Sequence, residues 1–560
     1  MPPSALRRAA LTGLCIGVLA LPALDATMAS SGTGSAPVMT GESERDGAGP
    51  TTAHVDTAHA TVAAAREAAH AAHQHSASAS TTSTASVTAN ATALDPAVYG
   101  EWTTLSYELP LRAVHATLLR TGKFLLVAGS GNVRSDNVIG QFKAYLWDPE
   151  SGALTSVPVP YDAFCAGHVV DANGDVIVFG GTVKYKDASN PWIGSSKAYK
   201  FNVATSTWTA LPPMAQGRWY PTGILDGSNR LFVYSGKDGK GATPSTAEMF
   251  DPATGKWSAA ARRTLPLYPG LTLFADGRLF YNGAHYGNTN GTVAPKLFNP
   301  VTGAKVTASD PNNILDLAHR TAAMGALVGS ADRGLVWVAG GGFPAVSSSY
   351  FFNLKASTLA PVAGPKLPAA KGYVSISLLP DLTALETGGG TGTDTPVFES
   401  SILNPTSRTL TSVAPNTVPR TYHSSSITMP DGRVATFGGD PSGNANFEFR
   451  IEIYSPPYVF KGTRPVVTSA VTQVKYGGTY SVGASATGAT PATAVLMRPG
   501  SATHALDANQ RVLQLASSTT ATGLSVTLPT KGNLAPPGWY LLFVNDSLGR
   551  PSVGRWVHLS

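Results

Sequence analysis

A phenol and an imidazole stand side by side in Arg420-Thr421-Tyr422-His423-Ser424, ahead of an apolar hairpin that turns at Asp431-Gly432. Cys165 holds a similar position before Asn173-Gly174, and Tyr220 stands slightly closer to its own turn. If the hairpins are repeats of one unit, a thiol, two phenols and an imidazole converge. Two nitrogen and two phenolic oxygen ligands suit Cu(II) in tetragonal geometry. Tyr422 and His423 supply one of each, so a second imidazole is needed. His504, on the polar loop Gly500-Ser501-Ala502-Thr503-His504-Ala505-Leu506-Asp507, is the best placed to reach them, while His115, His168, His285 and His319 stay open as alternatives.

The elements that must position these groups repeat from about Val98 to Tyr458. One half of the unit is an aromatic or apolar residue followed by a short polar turn, as in Trp147-Asp148-Pro149, Phe201-Asn202, Phe250-Asp251-Pro252, Phe298-Asn299-Pro300, Phe352-Asn353, Leu403-Asn404-Pro405 and Tyr454-Ser455-Pro456. Successive turn residues lie 54, 49, 48, 54, 51 and 51 positions apart, near the kelch period. The other half is a strand, a turn and a second strand ending at Gly129, Gly181, Gly236, Gly283, Gly342, Gly390 or Gly439. Seven units imply an all-β, seven-bladed propeller over residues 97–460. The array opens on Glu101-Trp102-Thr103-Thr104-Leu105, which reads as an outer strand, and closes on Arg450-Ile451-Glu452-Ile453-Tyr454, which reads as the strand before one. The last blade therefore borrows its outer strand from the start, and the ring has no free edge. Residues 461–560 change to short strands with Gly/Ala/Thr turns, of a length that suits one immunoglobulin-like β-sandwich.

Charge and composition narrow the function. A formal charge of +6 over 560 residues, with no basic block interleaved with aromatics, argues against nucleic acid as a partner. Residues 1–29 read as an export signal, with Arg7-Arg8 before an apolar run too short to span a bilayer. The expected product is secreted, without a membrane span, and monomeric. Residues 30–96 form a low-complexity Ala/Thr/Ser/His-rich tail that cannot bury enough surface to order itself. Its five histidines, His54, His59, His70, His73 and His75, could capture metal weakly. Of the two cysteines, Cys15 leaves with the signal, so Cys165 has no internal disulfide partner.

Phe164-Cys165-Ala166-Gly167, Arg218-Trp219-Tyr220-Pro221, Thr421-Tyr422-His423-Ser424 and Thr503-His504 occur in that order, with Asn509-Gln510-Arg511 and Pro537-Gly538-Trp539-Tyr540-Leu541-Leu542-Phe543-Val544 after them. Together they resemble the copper-radical oxidases, the galactose oxidase and glyoxal oxidase family, over roughly residues 97–560. The resemblance implies one copper ion held by Tyr220, Tyr422, His423 and His504. It also implies a thioether between Cys165 and Tyr220 that stores a radical, with Tyr422 as axial ligand and base. The implied reaction takes a primary alcohol or aldehyde to the aldehyde or acid and reduces dioxygen to hydrogen peroxide.

Two departures qualify the match. Galactose oxidase stacks a tryptophan over its thioether from a position that here reads Ser235-Gly236-Lys237-Asp238-Gly239, leaving Trp192, Trp219 or an aromatic of another blade to cover the radical. Its amino-terminal carbohydrate-binding domain is replaced by the tail. Arg-Trp-Tyr-Pro sits on the glyoxal oxidase side, which favours a small aldehyde or simple alcohol over galactose. Position-matched His115, Tyr268, Arg320 and Tyr373 line a substrate pocket or merely pack the propeller. His168 follows Cys165 by three and, on a strand, faces away from it. Readings from other classes are a non-catalytic propeller that binds glycan or protein, and a copper-binding protein whose His-rich tail holds the metal.

Overall fold

The computed structural model describes residues 94–287, 293–441 and 446–560. Residues 1–29, read above as an export signal, and nearly all of residues 30–96, read as a low-complexity tail, lie outside the described residues. Within them the chain is a seven-bladed propeller followed by a β-sandwich, built from seven antiparallel sheets and then two further ones. Each blade begins with a strand buried on both faces, such as Ala166–Val170, and ends with a half-exposed one, such as Thr207–Leu211. The apolar halves of the repeat therefore lie inside and the alternating halves outside.

The polar turns that marked the period connect the third and fourth strands. Asp148 accepts the Glu150 amide at 3.0 Å, Asn202 the Ala204 amide at 3.0 Å, Asn299 the Val301 amide at 2.8 Å and Asn404 the Thr406 amide at 2.9 Å. A side-chain oxygen that mimics a backbone acceptor is why Asp and Asn recur there. In the seventh blade the turn has no such role, because Arg450–Ser455 pairs with Glu101–Glu108 from the start of the array. The ring closes on its own amino end.

A second repeated feature sets the axis. Arg112, Arg218, Arg320, Lys371 and Arg420 are buried cations at one register of five blades. Four of the five donate to a carbonyl near the end of their own blade's second strand: Arg112 to Gly131 at 2.6 Å, Arg218 to Ser235 at 2.8 Å, Arg320 to Gly340 at 2.9 Å and Arg420 to Gly438 at 2.9 Å. Lys371 instead pairs with the buried Glu386 at 2.6 Å. Two or three residues further on, most blades place a non-glycine residue in left-handed backbone: Tyr220 (φ 66°), Ala322 (φ 57°), Tyr373 (φ 58°) and His423 (φ 64°), with Cys165 (φ 61°) and Tyr268 (φ 41°) matching them in the blades that lack the cation. Such a conformation costs about 1–2 kcal/mol per residue, so it must be held from outside. Bonds between neighbouring blades hold it: the Tyr220 amide donates to Cys165 at 3.0 Å, that of Tyr268 to Tyr220 at 2.9 Å and that of Tyr373 to Ala322 at 2.7 Å.

The sandwich covers the opposite end of the axis. Asn533 accepts the Gly227 amide at 2.8 Å, Arg498 donates to Val170 at 2.7 Å and Gln510 donates to Ile376 at 2.8 Å. Asn545, the asparagine of an Asn-Asp-Ser sequon, is buried and donates to Pro380 at 2.9 Å. From this end the segment Ser501–Thr503 runs antiparallel to the innermost strand of the first blade, His115–Leu118, as a fifth strand. It delivers His504 to the mouth where the left-handed residues stand.

Candidate metal centre

The centre is assembled from three blades and one threaded loop. One ligand atom each from Cys165, His423 and His504 lie within 4.8 Å of one another, and all three residues are buried. The Cys165 thiol is 3.7 Å from His504 Nε2. Tyr220 joins them, its ring centroid 4.9 Å from that of His504, and so does Tyr422, whose ring lies 3.8 Å from His423 and 5.5 Å from His504. Every site residue proposed from sequence thus stands at one mouth of the axis.

Hydrogen bonds behind the imidazoles fix which nitrogen faces the cluster. His423 Nδ1 donates to Asp440 at 2.7 Å, and Asp440 is paired with Arg112. Thr503 Oγ1 donates to the Val114 carbonyl at 3.1 Å, so it accepts from His504 Nδ1 at 2.6 Å. Both rings therefore turn the lone pair of Nε2 inward. Burial, reinforced by Arg112, holds His423 well below the ordinary imidazole range. Burial also depresses His504, with neighbouring His423 next in weight. Neutral imidazoles are the form a metal binds.

Two buried polar atoms here have no hydrogen-bond partner, the Tyr220 hydroxyl and His423 Nε2. Orphaned groups at a converging N/O/S set cost stability unless something occupies the space between them. A metal ion that accepts imidazole nitrogen and phenolate oxygen fits that demand. Tyr422 is the most solvent-exposed member at 9%, against 0% for His423 and His504, so the outer position faces the opening.

The covering aromatic is Trp219. Its ring lies 3.8 Å from Tyr220 at an interplanar angle of 7°, and Trp192 stacks on it in turn at 4.7 Å and 12°. Tyr268 stacks on Tyr220 as well, at 4.3 Å. Tyr373 lies 5.1 Å from the Tyr422 ring and lines the mouth, whereas Arg320 belongs to the scaffold cations. The other histidines weighed as ligands stand apart. His285 is bonded to Gly283 and Thr321, and His319 to Asp316. His115 is 6.2 Å, ring to ring, from His504, and His168 stacks edge-on to His115. Sequence reasoning missed Asp440 and Tyr286, whose hydroxyl donates to the His504 carbonyl, and gave Thr503, quoted beside His504, no role of its own. The only available signal was Asp440 directly after the closing Gly438-Gly439 of its blade.

Comparison with known proteins bears on this geometry. Residues 464–559 match the family model described as the galactose oxidase-like, early set domain. The chain is 27% identical to galactose oxidase of Gibberella zeae over 449 residues, 74% of this chain and 64% of that one. It is 33% identical over 168 residues to aldehyde oxidase GLOX1 of Arabidopsis thaliana, covering 26% of this chain and 27% of the relative. These matches make the chain similar to the copper-radical oxidases. It spans about two thirds of the length of the galactose oxidase it matches. Its fold also agrees with a solved structure described as a novel fungal alcohol oxidase with catalytic diversity among the AA5 family, in complex with copper, at a TM-score of 0.70 and 21% identity, over 82% of this chain and 100% of that one.

Proposed function

We propose that the protein is a secreted copper-dependent oxidase that converts a primary alcohol or an aldehyde to the aldehyde or acid and releases hydrogen peroxide. The observation that carries this reading is the convergence of Cys165, His423 and His504 beside an unpartnered Tyr220 hydroxyl. His423 and His504 would hold copper through Nε2, and Tyr220 and Tyr422 through phenolic oxygen. Bound copper supplies a one-electron couple which, with one oxidisable phenol, accounts for the two electrons that an alcohol gives up and dioxygen accepts.

The chain's own residues do the rest. Cys165, once bonded to the ring of Tyr220, would make that phenol easier to oxidise. Tyr422, at the exposed side, takes the hydroxyl proton of the substrate or of an aldehyde hydrate as general base. Tyr220, in its one-electron-oxidised phenoxyl form, would take the hydrogen atom from carbon and become the phenol. Trp219 and Tyr268 keep water from the Tyr220 ring. A small aldehyde or simple alcohol is the favoured substrate, on the Arg-Trp-Tyr-Pro motif. The site residues, the domain limits of 97–460 and 461–560, and export through residues 1–29 belong to the same proposal.

Mass spectrometry of protein matured with copper in air tests it first. The expected result is a Cys165–Tyr220 peptide pair lighter by two hydrogens than the separate peptides, together with peroxide release from small aldehydes or alcohols. A free thiol after copper and oxygen would overturn it and favour a non-catalytic propeller.

A further inference from the structure

The aromatic stack over Tyr220 does not stop at the residue that covers it. Trp219 lies on Tyr220, Trp192 on Trp219, and Tyr185 lies 4.6 Å from Trp192, ring to ring. All are buried, yet Tyr185 sits between the exposed Lys184 and Lys186, and Trp192 follows the exposed Pro191. One column of π systems in van der Waals contact therefore runs from the metal centre to the surface.

This column is built by a hairpin inserted between the second and third strands of the second blade. Thr182–Lys184 pairs with Ile193–Gly194, and Tyr185 and Trp192 are the next residues on the two arms. The hairpin is clamped to the third blade. Gly194 donates to Asp238 at 3.0 Å, and Trp219 and Lys237 exchange backbone bonds at 2.8 and 2.7 Å. A Cβ on Gly194 would fall 1.9 Å from the Lys237 carbonyl oxygen, so only glycine allows this approach. The stack is held by backbone on both sides and cannot slide.

Its outer end carries a proton acceptor. Ser130 Oγ donates to Asp162 at 2.6 Å, so the contact at 2.8 Å between Ser130 Oγ and the Tyr185 hydroxyl runs from Tyr185 to Ser130. Burial raises the Asp162 carboxyl above the ordinary range, which makes its carboxylate a better proton acceptor. A buried tyrosine can lose an electron reversibly only if its proton has somewhere to go and return from. At the inner end, the Lys237 ammonium lies 5.6 Å from the Trp219 ring centre and disfavours a positive charge there. A hole passing through the indoles therefore comes to rest on Tyr220.

We propose that Tyr185, Trp192 and Trp219 form an electron port through which an anionic one-electron oxidant at the hairpin surface converts Tyr220 to its radical without entering the substrate mouth. The proposal rests on the oxidase reading above. One electron leaves the Tyr220 phenolate, passes through Trp219, Trp192 and Tyr185, and reduces one oxidant. When Tyr185 is transiently oxidised its proton moves through Ser130 to Asp162, and it returns when Trp192 refills the hole. The net change is one phenolate oxidised to a phenoxyl radical and one oxidant reduced.

The test uses full-length, copper-matured protein whose Cys165–Tyr220 link has first been verified by mass, with ferricyanide as the oxidant. Radical formation is followed by its optical absorption and by loss of the Cu(II) resonance as the two spins couple. Trp192→Leu and Tyr185→Phe should slow that oxidation by at least about tenfold. Steady-state peroxide release from fully oxidised enzyme should stay unchanged, since neither residue touches the centre. Trp192→Tyr restores an oxidisable ring and should recover much of the rate, which separates the port from a packing defect. Oxidation at the wild-type rate in linked Trp192→Leu and Tyr185→Phe proteins would overturn the port. Absence of the link in the wild-type protein would instead overturn the oxidase reading.

Discussion

Two arcs of the same ring present the same backbone and opposite chemistry. In the second, third and seventh blades the left-handed position carries Cys165, Tyr220 and His423, and their side chains meet the threaded His504. In the fourth, fifth and sixth blades it carries Tyr268, Ala322 and Tyr373, which pack or line the mouth. The bonds that hold the conformation are alike in both arcs, Tyr220 to Cys165 at 3.0 Å and Tyr373 to Ala322 at 2.7 Å. The scaffold therefore aims every side chain at the axis, and residue identity alone decides which arc is reactive. Strain in the backbone is a property of the repeat, not of the metal centre.

The comparison can be broken at several points. The largest effect is expected from Cys165→Ser, which should reduce peroxide release to background while metal analysis still finds copper bound. Tyr373→Phe, at the matching place on the other arc, should keep measurable turnover. Next come the scaffold cations. Arg218→Met leaves Glu248, its partner at 2.9 Å, buried without a counter-charge. Breaking a buried pair in this way costs about 3–5 kcal/mol. Arg320 bonds to the Leu315 and Gly340 carbonyls and the Ser348 hydroxyl, with no carboxylate. Arg320→Met should therefore cost less, about 1–3 kcal/mol for the neutral acceptors it abandons. Urea unfolding midpoints of the two variants read this difference, and equal shifts would contradict it.

Smaller effects sharpen the contrast. Asp440→Asn removes the carboxylate behind His423, and an outer-shell change of this kind weakens metal binding about 10- to 100-fold. Competition with a chelator measures it. Ala322→Gly releases a left-handed alanine on the unreactive arc, and the relief and the added chain entropy nearly cancel. A gain of no more than about 1 kcal/mol is expected in thermal unfolding.

Much of this was legible in the residues because their types are rare and the period is strict. Cys165 has no disulfide partner, and Tyr422-His423 fall at the register of a repeat, so few places were left for them to meet. The Asp/Asn positions that set the count of blades are side-chain acceptors with a local bonding reason to recur. What lay beyond reach depends on contacts between distant segments. Asp440 is one of many acids until the blade folds it back on His423. Trp219 and Trp192 could each have covered Tyr220, and only the inserted hairpin decides that they do so in series. The passage of Ser501–Thr503 along the first blade follows from no local pattern.

That threaded segment also governs when the centre can exist during synthesis. Cys165, Tyr220, Tyr422 and His423 all leave the ribosome before His504, and the segment carrying His504 can take its place only after the first blade has formed. The newborn propeller thus holds its thiol and phenols in an incomplete set until the carboxy-terminal sandwich docks. Until then the centre lacks one of its two inward-facing imidazoles.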